Sequence, residues 1–365
     1  MNRLTEIDGL RAIAVLGVLW SHFWMFFGNP FLNVFGLPIN RILSFGGVGV
    51  DLFFVISGFC MYYTFHNKYS TLTIPIFWKF LKGRWLRVAP LYYLAVIVYS
   101  IFIYINTVHF PFKSVIYHLF FLQTIFNSNN IAPHFWSLAT EWHFYLILPF
   151  FFYFGYINRH NNYFIFKLIF LCILCRLFYW GFIANSPLTI DRSDRIYLRF
   201  VEFGWGIFIC QLFILNIPLS KLFSGISGFI FAFGIAFLGR LLNTTEVILA
   251  FSHLGYIVKA LADPIMSFGF SMLILNILKS KTFFSKILNS SIFQQIGKVS
   301  YSFYLWHWMV SIYICKIALI YFGQKNLVLN IAFIISALIT FLISKLSWSL
   351  IESRYFKINS IKINV

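Results

Sequence analysis

Apolar residues run through this chain in long blocks separated by short polar breaks, most of them basic. A helix needs about 20 mostly apolar residues to cross a bilayer. Ten blocks are long enough, at roughly 10–27, 44–65, 88–106, 135–156, 163–184, 196–216, 223–242, 255–278, 299–321 and 327–349. The pattern predicts an all-α membrane protein with about ten transmembrane helices in one bundle. A transmembrane domain takes residues 1–350, and 351–365 form a short basic tail. The first block reads as a retained helix, because a second follows at once and no small-x-small cleavage site closes it. The connector 107–134 carries an apolar patch at 115–126, expected to form a re-entrant or interfacial helix. The longest polar stretch, near 279–298, is too short for a soluble domain.

Composition sharpens this reading. Of 365 residues, 60% are hydrophobic and 10% charged, against about 25% charged in a soluble domain. That excludes a water-soluble globule, and the apolar content excludes a disordered chain. The net charge is +18, from 28 Lys+Arg against 10 Asp+Glu. The basic residues cluster between apolar blocks, so they set topology and do not point to nucleic acid, with anionic lipid or an anionic ligand as further partners. With a cytoplasmic N-terminus, the inner segments hold Arg3, Lys68, Lys79, Lys82, Arg84, Arg87, Arg159, Lys221, Lys279, Lys281, Lys286, Lys298, Arg354, Lys357 and Lys362. The outer loops hold Arg41, Lys113, Arg192, Arg195, Arg240 and Lys325. Fifteen against six predicts that both termini are cytoplasmic. Cys172 and Cys175 spell C-x-x-C, but all five cysteines sit in apolar blocks and read as packing residues.

A charge at membrane depth costs ~2.5–3.5 kcal/mol on insertion scales, so each one there is a candidate for function. Arg11, His22, Asp51, Glu141, His143, Glu202, Asp263 and His307 stand inside apolar blocks. Each also has a structural reading, as one member of a pair that locks helices together. Arg199 and Glu202, three residues apart, read best as such a pair. Arg11 and His22 are eleven residues apart, which is ~20° past three full turns and an axial rise of ~16 Å. They share a face, with Arg11 at the cytoplasmic end. A guanidinium stays charged and suits a fixed anion, whereas an imidazole exchanges protons near neutral pH. Lys79-x-x-Lys82-x-Arg84-x-x-Arg87 precedes the third block. If its helix starts early, Arg84 and Arg87 share a face at the same inner rim, where three arginines could hold a polyanion. Glu141 lies inside the fourth block, and His307 in a polar-aromatic helix start. No phosphate-binding loop, G-x-S-x-G elbow or H-E-x-x-H is present, and nothing suggests a metal.

Five stretches resemble the acyltransferase-3 family of integral membrane O-acyltransferases. They are Asp8-Gly9-Leu10-Arg11-Ala12 with His22, residues 49–59 (GVDLFFVISGF), Arg84-Trp85-Leu86-Arg87, residues 135–146 (FWSLATEWHFYL) and residues 300–308 (SYSFYLWHW). His143 departs from the pattern, where Gln is usual. The SGNH-type esterase domain of some members has no counterpart here, so a stand-alone form is expected. The resemblance implies transfer of an acyl group, commonly acetyl, from cytoplasmic acyl-CoA to a hydroxyl of an envelope carbohydrate, in the bacterial inner membrane. It also implies Arg11, Arg84 and Arg87 as donor-binding residues and His22 as the catalytic base. Glu141 would orient His22 or the acceptor, with Asp51, Ser57, His143 and His307 in supporting or substrate-binding roles. Direct transfer and an acyl-enzyme on His22 or Ser57 both fit these residues. On the buried charges alone, a transporter or flippase of an anionic lipid-linked sugar fits equally well, and so does a scaffold with purely structural charges.

Overall fold

A computed structural model describes residues 4–30, 33–34, 37–38, 44–69, 73–126, 130–157, 163–183 and 195–354. Arg3, Arg41, Arg159, Arg192, Lys357, Lys362 and the tail from 355 onward lie outside the described residues. The helices are α1 (Thr5–Phe26), α2 (Gly49–Lys68), α3 (Ile74–Thr107), α4 (Phe112–Leu119), α5 (Trp136–Ile157), α6 (Tyr163–Phe178) and α7 (Ile196–Ile214). They continue as α8 (Gly225–Leu242), α9 (Thr245–Ala250), α10 (Gly255–Ser280), α11 (Phe283–Leu288), α12 (Ser291–Lys298), α13 (Ser300–Phe322) and α14 (Asn326–Ser347). A two-residue antiparallel ladder pairs Asn33–Val34 with Leu37–Pro38. Each of the ten expected blocks coincides with a long helix. Nine described helices are long and apolar enough to cross a membrane, and the block at 135–156 is the 22-residue α5.

Two elements differ from expectation. α3 begins at Ile74, well before the apolar block. Thr73 Oγ1 accepts the Ile76 N–H at 3.4 Å, and Pro75 sits in the first turn, where its missing N–H costs nothing. The basic run from Lys79 to Arg87 is therefore helical. The connector helix α4 is shorter and earlier than the patch at 115–126. His118 is buried on it while Phe112 and Ile116 are exposed.

The described residues form two compact units. The first takes the described parts of Met1–Ile7, Asp51–Lys79 and Trp136–Asn289. Its helices approach closely at glycines, as membrane helices do when packing is the main attraction between them. Gly58 lies against the Phe203 backbone, Gly206 against Val55, and Gly269 against Ala236. Phe144 stacks on Phe203 with ring centroids 4.1 Å apart. Pro264 inside α10 removes the N–H that would bond the Ala260 carbonyl four residues back. The second unit takes the described parts of Asp8–Val50, Phe80–Phe135 and Ser290–Val365. Gly17 and Gly46 meet backbone to backbone. Phe23, Phe27, Cys315, Ala318, Leu329 and Ala332 form a buried core joining α1, α13 and α14.

Candidate functional site

In the second unit, α13 acts as a ruler along which the candidate residues are set. At its deeper part, the wholly buried His307 meets His22 of α1. His22 Nδ1 lies 2.9 Å from His307 Nε2, with the rings 20° from parallel. The Trp308 ring packs edge-on to His22, with centroids 4.7 Å apart. A third imidazole, His134, comes from the short turn Pro133–Phe135 and packs edge-on to His307 at 4.9 Å between centroids. The Tyr304 hydroxyl donates to the His134 carbonyl at 2.8 Å. Burial, then the two neighbouring imidazoles, holds His134 well below the ordinary histidine range. Tyr99 of α3 donates to the Leu305 carbonyl at 2.9 Å and accepts the Met309 N–H at 3.2 Å. It thereby fixes the turn that carries His307.

At the start of α13, the Tyr301 hydroxyl donates to the Val88 carbonyl at 2.7 Å, beside Arg87. One turn earlier, Gly297 presses against the Asp8 carbonyl, and the Asp8 carboxylate pairs with Arg11 at 3.3 Å. Ser302 Oγ donates to Glu352, the carboxylate that interacts with Arg87. The Arg84 guanidinium lies 5.7 Å from the Phe80 ring centroid, and Lys298 lies 3.9 Å from that of Trp348. Residues 297–302 thus touch the neighbourhoods of both Arg11 and Arg87. From Tyr301 to His307 the rise is ~9 Å, and from Arg11 to His22 it is ~16 Å. Within this unit, the residues beside Arg11 and Arg87 contact the start of α13 and the turn before it, and His22 contacts His307 further along the same helix.

The first unit holds two further polar groups. Arg199 lies 2.8 Å from Asp51, 2.9 Å from Glu202 and 3.5 Å from Asp263. Arg176 donates to Asp263 at 2.6 Å, and to the Ala260 and Leu198 carbonyls at 2.8 Å each. The Ala260 carbonyl is the one that Pro264 leaves without its helical donor. Asn243 donates to Asp263 at 3.0 Å. The expected Arg199–Glu202 pair exists, but as one edge of a larger ionic cluster that includes Asp51. Ser57 donates to Glu141, and Tyr145 donates to the same carboxylate oxygen at 2.5 Å. The hydrogen-bond partners seen for Glu141 are hydroxyls, and the group beside His22 is an imidazole. His143 is buried on α5.

Three residues in these clusters went unselected from sequence. Arg176 stands inside an apolar block, and the same buried-charge criterion selects it. Tyr145 lies four residues after Glu141, on one helix face. His134 precedes α5 in a polar connector and carries no local signal.

A model of the acyltransferase-3 family, described as an acyltransferase domain, matches residues 4–347. O-acetyltransferase OatA of Staphylococcus aureus strain NCTC 8325 is 27% identical over 382 residues, covering 96% of this chain and 57% of OatA. ORF330 of Acidianus two-tailed virus is 27% identical over 307 residues, covering 83% of this chain and 82% of its own. This chain therefore spans little more than half the length of OatA. No solved structure matches. With a family match over nearly its whole length and the Arg11–His22 helix, R-x-x-R segment and late histidine in the expected order, the chain belongs to the acyltransferase-3 family.

Proposed function

We propose that the chain is a membrane O-acyltransferase. It moves an acyl group, acetyl in the simplest case, from acyl-CoA to a hydroxyl of a cell-envelope carbohydrate. Both termini face the cytoplasm of a bacterial cell, and the donor enters at the rim of Arg11, Arg84 and Arg87. The observation that carries this reading is the order of groups along α13. Guanidiniums that suit phosphates stand at one end, and an imidazole that can take a proton stands ~16 Å deeper on α1. A pantetheine arm is long enough to span such a distance. His22 takes the proton of the acceptor hydroxyl as its oxygen bonds to the thioester carbon. The C–S bond then breaks, and the thiolate takes the proton from His22. Base help of this kind is worth ~10²–10⁴-fold in rate. The name of OatA supports acetyl as the group and oxygen as its acceptor atom.

The test uses membranes that hold the full chain, supplied with acetyl-CoA labelled in its acetyl group. Label should appear in surface carbohydrate as an alkali-labile ester, with a matching mass increment. Carbohydrate that crosses the membrane without gaining label would instead support a transporter and overturn this reading.

A further inference from the structure

The geometry points to His307 as the residue that sets the tautomer of His22, leaving His22 Nε2 as the nitrogen with a free lone pair. His307 Nδ1 lies 2.6 Å from the Tyr304 carbonyl oxygen. A carbonyl oxygen only accepts, so His307 Nδ1 carries the hydrogen. His307 is wholly buried, where a charged ring costs far more than a neutral one. A neutral imidazole has a single N–H, so His307 Nε2 presents a lone pair. That lone pair faces His22 Nδ1 at 2.9 Å. The contact is a hydrogen bond only if His22 Nδ1 carries hydrogen and donates. His22 Nε2 is then the unprotonated nitrogen.

The surroundings hold this arrangement in place. Tyr304, whose carbonyl starts the relay, is tied through its hydroxyl to the His134 carbonyl. Tyr99 clamps the backbone on both sides of His307. His134 stacks on Trp308 at 22°, with centroids 5.6 Å apart, and Trp308 packs on the His22 ring. Second groups that orient a working histidine are often carboxylates or carbonyls. Here a neutral imidazole passes the orientation of a carbonyl on to His22. When His22 takes a proton from the acceptor, His307 Nε2 continues to accept from Nδ1–H and steadies the imidazolium. His307 is therefore a positioning residue. The inference deepens the proposed function, because it rests on His22 as the base of that reaction.

The direct test is ¹⁵N NMR of the histidine-labelled full chain in lipid, with the His22 signals identified from a His22→Gln variant. His22 should show a protonated Nδ1 and an unprotonated Nε2. His307→Leu removes the acceptor and should shift His22 toward mixed tautomers, with kcat falling ~10²–10³-fold, within the range that base help spans, at unchanged donor KM. His307→Gln can still accept through its side-chain oxygen and should keep kcat within about tenfold, since it retains the hydrogen bond. Wild-type His22 protonated at Nε2, or unchanged His22 signals in His307→Leu, would overturn the inference. The wild-type spectrum gives the answer even if both variants fold poorly. Full turnover by a His22→Ala variant beside the expected tautomer would instead defeat the base reading and leave the relay standing.

Discussion

Replacing Arg176 with alanine removes one of the two arginines of the ionic cluster described in the first unit, and the structure sets the size of the effect. The side chain is 1% exposed and makes three charge-assisted bonds, to Asp263 at 2.6 Å and to the Ala260 and Leu198 carbonyls at 2.8 Å each. Breaking a buried pair from one side costs about 3–5 kcal/mol. Asp263 keeps Arg199 at 3.5 Å and Asn243 at 3.0 Å, which offsets part of that. Hydrogen bonds between membrane helices average only ~0.6 kcal/mol. The Ala260 carbonyl loses its donor entirely, because Pro264 cannot supply one. Together these place Arg176→Ala at about 3 kcal/mol of destabilisation. Arg176→Lys should recover only part of it, since an ammonium cannot reproduce the planar fork. The assay is reversible unfolding in mixed micelles, run as a double-mutant cycle with Asp263→Asn and expected to give a coupling of at least about 1 kcal/mol. A cost below about 1 kcal/mol for Arg176→Ala, with additive behaviour in the cycle, would refute the assignment.

Other outcomes follow from single contacts. Burial holds His118 at about 4, against 6.5 for a free histidine. The unfolded chain therefore takes up a proton there before the folded one does, so its contribution to stability is full above pH 6.5 and is lost as pH falls to about 4, by ~3 kcal/mol in all. Melting temperature should fall over that window and fall less steeply in His118→Phe; equal slopes would contradict this. Arg84→Gln and Arg87→Gln should each raise the donor KM about tenfold with kcat retained, the worth of one charge-assisted bond, and an unchanged donor KM counts against the rim. A Cβ at Gly206 would collide with the Val55 carbonyl and lie 2.8 Å from the Phe59 nitrogen, whereas one at Gly234 meets nothing within 4 Å. Thermal unfolding should show Gly206→Ala destabilised by about 1–3 kcal/mol and Gly234→Ala neutral or slightly stabilised; the reverse order would remove the close-packing argument.

How much of this could be read from sequence depended on the range of each interaction. The spans were legible because lipid imposes a local length requirement on every crossing helix. The shared face of Arg11 and His22 and that of Arg84 and Arg87 were legible because both follow from helical periodicity once the helix is known. The early start of α3 could be found in Thr73 and Pro75, a capping residue and a first-turn proline ahead of the apolar block. The imidazole cluster was not legible. His22 and His307 are 285 residues apart, and His134 arrives from a turn with no periodic signature. Ser57 and Glu141 are 84 residues apart, and no local pattern predicts their contact. Arg176 was visible as a buried charge, but its partners were not, because the Ala260 carbonyl becomes available only through a proline on another helix.

If His22 is the base in acyl transfer, a His22→Ala variant loses turnover while keeping its donor. Membranes containing equal amounts of folded wild-type and variant protein would be given labelled acetyl-CoA and acceptor carbohydrate, and the ester formed would be timed. Loss of the base should cut the rate by ~10²–10⁴-fold with donor binding preserved. Ester formation at nearly the wild-type rate would remove His22 from the chemistry.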